Sequence, residues 1–357
     1  MSPARLAALA GLALVAIAGA FWLSAQRSLP RDNGVGEALL PGLRSQLNSV
    51  RQLRIRSGED STTLEREADT WSVRERGGYP ANVAEVRRLL FSLADASTIE
   101  AKTSDPARYA NLGLTDPGET PGGEGIVIEL DGLSAPVRVI AGKPGPVSPS
   151  TYVRRGDESR SWLVDAALRP TARPRSWLNT GLVEIAADRI RSVTITDQSG
   201  RTYGVRKQVA EDRAFDVEGL QSGEQLSSPA VLLPVSTALS NLRMVDVATD
   251  PGNEDSWPER VRYDTFDGLV VEVEGRRTET GRFIRLKSQI ESEPQERPAH
   301  AAASHSAAAP PQASTAVSES AAINRRVQGW TYEVATHVYD LLFPRLETWL
   351  TNPDHRD

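Results

Sequence analysis

Short runs of apolar residues, several alternating with polar ones, come along this chain in two similar sets. VRQLRI, with Val50, Leu53 and Ile55, lines up with IRSVTI, with Ile190, Val193 and Ile195. Each run is followed by a polar turn, SGEDS or TDQSG, and then by a second strand-like run, TTLERE or TYGVRK. A third run carries an aromatic before an alternating valine, Trp71 and Val73 in the first set, Phe215 and Val217 in the second. Alternation of this kind predicts strands with one buried and one wet face.

The period then changes in both sets. After Pro80, Val83, Val86, Leu89, Leu90 and Leu93 fall on one helical stripe; after Pro229, Leu232, Val235, Leu239 and Leu242 do the same. Both patterns predict a helix laid across a sheet. Strand periodicity returns around an Asp-Gly turn. GIVIELDG passes through Asp131-Gly132 into VRVIAG, and VRYDTFDG through Asp267-Gly268 into VVEVEG. A last pair follows, TYVRR and SWLVD in the first set, RFIRLK and GWTYEV in the second. Val338, Leu341, Leu342, Leu346 and Leu350 predict an amphipathic closing helix.

Strands in runs, with one helix between them, predict an α+β fold of two repeated antiparallel sheet-plus-helix units. The expected order is an anchor over 1–25, a tether over 26–39, a first repeat over 40–170, a connector over 171–183 and a second repeat over 184–357. The repeats differ at their last hairpin. The first closes with Gly156-Asp157-Glu158, whereas the second inserts an Ala-, Ser- and Pro-rich stretch over about 291–328, read as a disordered loop because it offers little large apolar surface.

The anchor rests on Leu6 to Leu23, an uncharged run that reaches about 27 Å as a helix at about 1.5 Å per residue. Arg5 precedes it, Trp22 sits at its end, and Arg27 and Arg31 follow. A cleaved signal peptide would want small residues at its cut site, which Leu23-Ser24-Ala25 fits poorly. The expected location is the bacterial inner membrane, single-pass, with the C-terminal region periplasmic. Charge on the two flanks does not by itself set the orientation.

A formal net charge of −6 argues against nucleic acid as a partner, and the absence of cysteine removes thiol catalysis, thiolate metal sites and disulfides. Of four histidines, His300 and His305 fall in the insert and His355 in the tail, leaving His337 alone on the closing helix. A lone histidine without positioned partners does not make a catalytic triad, and HAAASH is a poor metal site on a loop that would have to be ordered. AGKPG lacks the Gly and Ser/Thr of a phosphate loop, with Val137 and Pro144 in their places. Arg155-Gly156-Asp157 reads as a turn, and the acidic residues form no calcium loop. The reading is therefore of a non-enzyme with no cofactor and no metal.

LNSVRQLRI, YPANVAEVRRLLFSLADA, KTSDPARYANLGLTDP and RSWLNTGLVEIAADRIRSVTI together resemble the DUF4340 family of bacterial envelope proteins, most specifically at Lys102 to Leu114. The resemblance implies a single-pass membrane protein, some of whose relatives are similar to components encoded with ABC-type transporters of the gliding-motility kind. It carries over no catalytic residues. Lys102, Thr103 and Tyr109, polar and loop-borne within the most specific stretch, are the expected contact surface. The expected function is a membrane-anchored, non-catalytic structural or interaction protein of the envelope, accessory to an ABC-type transporter. The alternative is an envelope lipid- or glycan-binding module that uses the cleft between the two repeats.

Overall fold

The computed structural model describes residues 34–212, 214–250, 252, 257–291 and 311–351. Leu6 to Leu23 lies outside the described residues. Among the described residues no helix is long and apolar enough to cross a membrane.

In the first half of the chain, β1 (Gln52–Ser57), β2 (Asp60–Glu67), β3 (Thr70–Val73), β4 (Tyr79–Pro80), β5 (Thr98–Ala101), β6 (Ile126–Asp131), β7 (Val137–Pro144), β8 (Thr151–Arg155) and β9 (Ser161–Val164) form one sheet in the order β4-β3-β2-β1-β6-β7-β8-β9-β5. Beside a short helix α1 (Leu43–Gln46), the main helix here is α2 (Val83–Asp95); α3 (Tyr109–Leu112) is a single turn. The second half contributes a small pair, β10 (Gly181–Val183) with β14 (Leu242–Arg243), and a larger sheet. The latter comprises β11 (Ile190–Thr196), β12 (Thr202–Arg206), β13 (Asp216–Glu218), β15 (Asp246–Thr249), β16 (Glu259–Thr265), β17 (Leu269–Arg277), β18 (Arg282–Ile290) and β19 (Trp330–Glu333). Its order is β13-β12-β11-β16-β17-β18-β19-β15. Apart from β4, the two sheets follow one strand order position for position. The molecule is an antiparallel α+β protein.

Local chemistry accounts for the matching turns. Gly132 and Gly268 both hold positive φ, 93° and 85°, after an aspartate. At Gly132 a Cβ would also stand 2.6 Å from the Ser49 carbonyl oxygen, so the position excludes a side chain twice over. Helix α2 buries Val86, Leu89, Leu90 and Leu93, four of the five positions of the predicted stripe, with Val83 half-buried. The face of the first sheet is crossed by the segment after β9. Thr151 Oγ1 donates to the Ala166 carbonyl and accepts from the Leu168 N–H, and Thr62 Oγ1 donates to the Ala172 carbonyl.

Several expectations are corrected. The second predicted helix is a turn over Pro229–Leu232 followed by α4 (Leu233–Thr237). Leu242 lies in β14 instead, although Leu232, Val235, Leu239 and Leu242 are all buried. Pro229 and Pro234 favour a helix start, but β-branched Val235 and Thr237 and then Ser240-Asn241 give poor support for extending it. The closing helix is α6 (Thr336–Leu342), ended by Pro344, with Leu346–Thr348 as a separate turn.

The insert is corrected over Pro311–Val327, which forms helix α5. Its buried positions Ala316, Ser320, Ile323 and Val327 make a narrow face, two of whose four residues are small. Such a face lets the helix approach β18 closely enough for hydrogen bonding. Asn324 bridges the strand, accepting from the Ser288 N–H at 2.8 Å and donating to the Ser288 carbonyl at 2.8 Å, and the hydroxyls of Ser288 and Ser320 lie 2.9 Å apart. Midway along the helix, Glu319 takes two hydrogen bonds from Arg189.

By compactness the chain divides into one unit of residues 34–71 with Val83–Pro174, and a second of Ser72–Asn82 with Arg175 onward. The segment Ser72–Asn82 thus precedes α2 in sequence yet groups with the second unit. It is held there by backbone bonds from the Asn82 N–H to the Trp177 carbonyl and from the Asn179 N–H to the Pro80 carbonyl.

Candidate functional site

The second unit carries a cleft of about 530 Å³ on its sheet, beside β15. The strand register explains what lines it. Asp246 pairs with Glu333, Glu333 with Phe283, and Phe283 with Arg276, so these four side chains form one row across β15, β19, β18 and β17. Val247, Tyr332 and Ile284, one residue along, are buried on the opposite face. Two residues from Glu333, Thr331 returns to the cleft face opposite Ala248.

Two segments outside these strands complete the walls. The turn Arg74–Arg76 brings Arg76 onto Asp246, with Nε and Nη2 donating to the two carboxylate oxygens at 2.6 and 2.8 Å. Gly77 makes the approach possible, since its φ is +64° and a Cβ would stand 2.9 Å from the Thr249 methyl. Tyr79 anchors the same segment edge-on to Trp330 and Tyr332, at centroid distances of 5.1 and 6.0 Å. On the other side the Trp257 indole lies 5.0 Å from the Arg276 guanidinium and 4.7 Å from that of Arg285. Arg285 donates in turn to Glu274 at 2.6 Å and pairs with Asp250 at 3.6 Å.

These contacts hold the charges in place. Burial pushes the Asp246 carboxyl up, but the hydrogen bonds from Arg76 and the Val247 N–H outweigh it and hold the group below the usual carboxylate range. The Arg76 guanidinium is raised, first by that same bond. Glu274 behaves like Asp246, with burial opposed and overcome by Arg285 and Arg260. Among the described residues no group of three or more His, Asp or Glu side chains is placed to hold a metal ion.

The residues singled out from sequence lie in the first unit, and their side chains serve the loop that follows β5. Lys102 pairs with Glu100 at 2.6 Å and lies 5.8 Å from the Tyr152 ring centroid. The Thr103 carbonyl accepts from the N–H and hydroxyl of Ser161, both at 2.8 Å, and its hydroxyl accepts from the Asp105 N–H. Tyr109 is buried with Leu114, Val127 and Ile140, donates its hydroxyl to the Ser159 carbonyl, and carries Arg154 over its ring at 4.7 Å. These contacts stitch the loop to β9. Arg155 of the Arg-Gly-Asp turn is taken up by the Leu39 carbonyl and Glu158. His337 is exposed on α6; His300, His305 and His355 lie outside the described residues.

Sequence reasoning missed the cleft because Arg76 and Asp246 stand far apart in the chain and β15 shows no alternation. Its one visible signal is Trp257, a lone aromatic between β15 and β16.

Fold and cleft together define a class: an α+β protein of twice-repeated sheet topology with a preorganised, charge-lined cleft on the second sheet. The family model described as a domain of unknown function, DUF4340, matches residues 71–260, more than half of the 357-residue chain. The chain belongs to this family. The match takes in α2, the Lys102 to Leu114 stretch and the connector, and begins after LNSVRQLRI. No curated protein and no solved structure matches the chain.

Proposed function

We propose that this chain is a non-catalytic interaction protein of the bacterial cell envelope, tethered to the inner membrane by Leu6 to Leu23, with both sheets outside the cytoplasm. Its contact site is the cleft of the second unit, and its partner is a protein. The resemblance of the family to transporter-encoded components supports a subunit of an ABC-type transporter as that partner.

The observation that carries the reading is that most of the charges in and beside the cleft are paired, Glu333 excepted. Asp246 with Arg76, and Asp250 and Glu274 with Arg285, are fixed by bonds within the protein. Carboxylates held ionised below their usual range present constant charge to a guest, whereas a general acid or base works best with a pKa near the operating pH. Aromatic residues beside paired arginines are also the composition of protein contact sites.

The test is affinity purification of the full chain from detergent-solubilised membranes, comparing wild type with the double variant Trp257→Ala, Phe283→Ala and with an exposed control, Ser199→Ala. A protein recovered with wild type and control and lost with the double variant supports the reading. Equal recovery with all three, or none at any detergent strength, contradicts it.

A further inference from the structure

Resting on the reading of this cleft as the contact site, we infer that the group it takes is a cation on an apolar stem, an ammonium or guanidinium of the lysine or arginine kind. Thr331 and Glu333 are alternate residues of β19 and share the cleft face. Thr331 is 8% exposed, and its Oγ1 is enclosed without a hydrogen-bond partner. The Glu333 carboxylate makes no hydrogen bond or ion pair among the described residues, while its row neighbour Asp246 is doubly bonded to Arg76. Two acceptors therefore stand side by side with their capacity unspent, in a molecule that pairs the other charges of this face.

The balance of charge selects the sign of the guest. Glu75, Asp246, Asp250 and Glu333 line the cleft against Arg76 and Arg276. An anion would be set against the open Glu333 carboxylate. A purely apolar guest would strip water from Glu333, leave the Thr331 hydroxyl without a partner and give nothing back. An ammonium or guanidinium donates to both, and both oxygens can accept. The Phe283 ring stands beside Glu333 in the register and is free of ring or cation contacts among the described residues, so it can take the cation or its stem. Trp257 is already engaged by two guanidiniums. The cation can come from a side chain of a protein partner or from a free amine.

The measurement is titration calorimetry on the full chain in detergent micelles, with three probes: agmatine, a short peptide with one central arginine, and the same peptide with citrulline, which is neutral and of similar shape. The arginine peptide is expected to bind at least about tenfold tighter than the citrulline peptide, and Glu333→Gln and Thr331→Val to remove most of that difference. Glu59→Gln, on an exposed turn of the first sheet, leaves it unchanged, and thermal melts confirm that each variant is folded. Agmatine binding as tightly as the arginine peptide supports a free amine as the source; a tighter peptide supports a partner's side chain. Equal binding of arginine and citrulline peptides, no binding of any probe, or an unchanged difference in folded Glu333→Gln overturns the inference. If purification still recovers a partner through Trp257 and Phe283 in that event, the contact-site reading stands and only the cation is lost.

Discussion

At the scale of single residues, the bond between Arg76 and Asp246 is the contact whose chemistry can be followed most directly. The folded-state pKa of Asp246 lies below its unfolded value of about 3.9, so the bond stabilises the protein above that pH and the contribution is lost as pH falls through the folded pKa. Both partners are mostly buried, at 27% and 20% side-chain exposure. Asp246→Asn should therefore cost about 1.5–3 kcal/mol at neutral pH in chemical denaturation, the range for hydrogen bonds to charged groups. Below about pH 4 the gap between variant and wild type should narrow. A gap that widens in acid would mean that the carboxylate is not the stabilising form. Glycine offers a second residue-scale contrast. Gly58 has a positive φ and open space around it, so Gly58→Ala carries only the backbone cost of about 1–2 kcal/mol. Gly132→Ala adds the Ser49 carbonyl in its path and should lose clearly more stability in the same assay.

Among the elements, α5 shows how a helix can be hidden in a sequence. Its buried face is Ala316, Ser320, Ile323 and Val327, which reads as low complexity because little large apolar surface is present. Close approach and hydrogen bonding to Ser288 take the place of that surface. Asn324→Ala removes both bonds to the Ser288 backbone and leaves those groups beneath the helix, a loss of about 1–3 kcal/mol. Hydrogen exchange checks this by the Ser288 amide, which should lose protection while Val271 in β17 keeps its own. The strands of both hairpin series were legible because alternation and Asp-Gly turns are local signals. Strands β5 and β15 were not. TIEA and DVAT are four residues each with little large apolar surface, and exist as strands because β9 and β19 offer an edge to pair with.

For the molecule as a whole, repetition was the most legible property, since two sheets built to one strand order leave two similar sets of runs in the chain. The cleft was not legible, because it is assembled from Arg76, Asp246, Trp257, Phe283 and Glu333, which only the sheet register and the Ser72–Asn82 crossover bring together. Lys102, Thr103 and Tyr109 drew notice by lying in a distinctive stretch, and their side chains are engaged in loop packing. Membrane tethering makes its own prediction. An enzymatic reporter that works only outside the cytoplasm, fused after Asp357, should be active in growing cells, and activity confined to a cytoplasmic reporter would reverse the placement. The contact site itself is tested most directly by a photo-crosslinking residue at position 283 of the full chain in intact cells, with one at Ser199 as comparison. The account predicts a discrete adduct with another envelope protein from position 283 and none from 199. Adducts of the same kind from both positions, or none from 283 while the chain is folded and in the membrane, would contradict it.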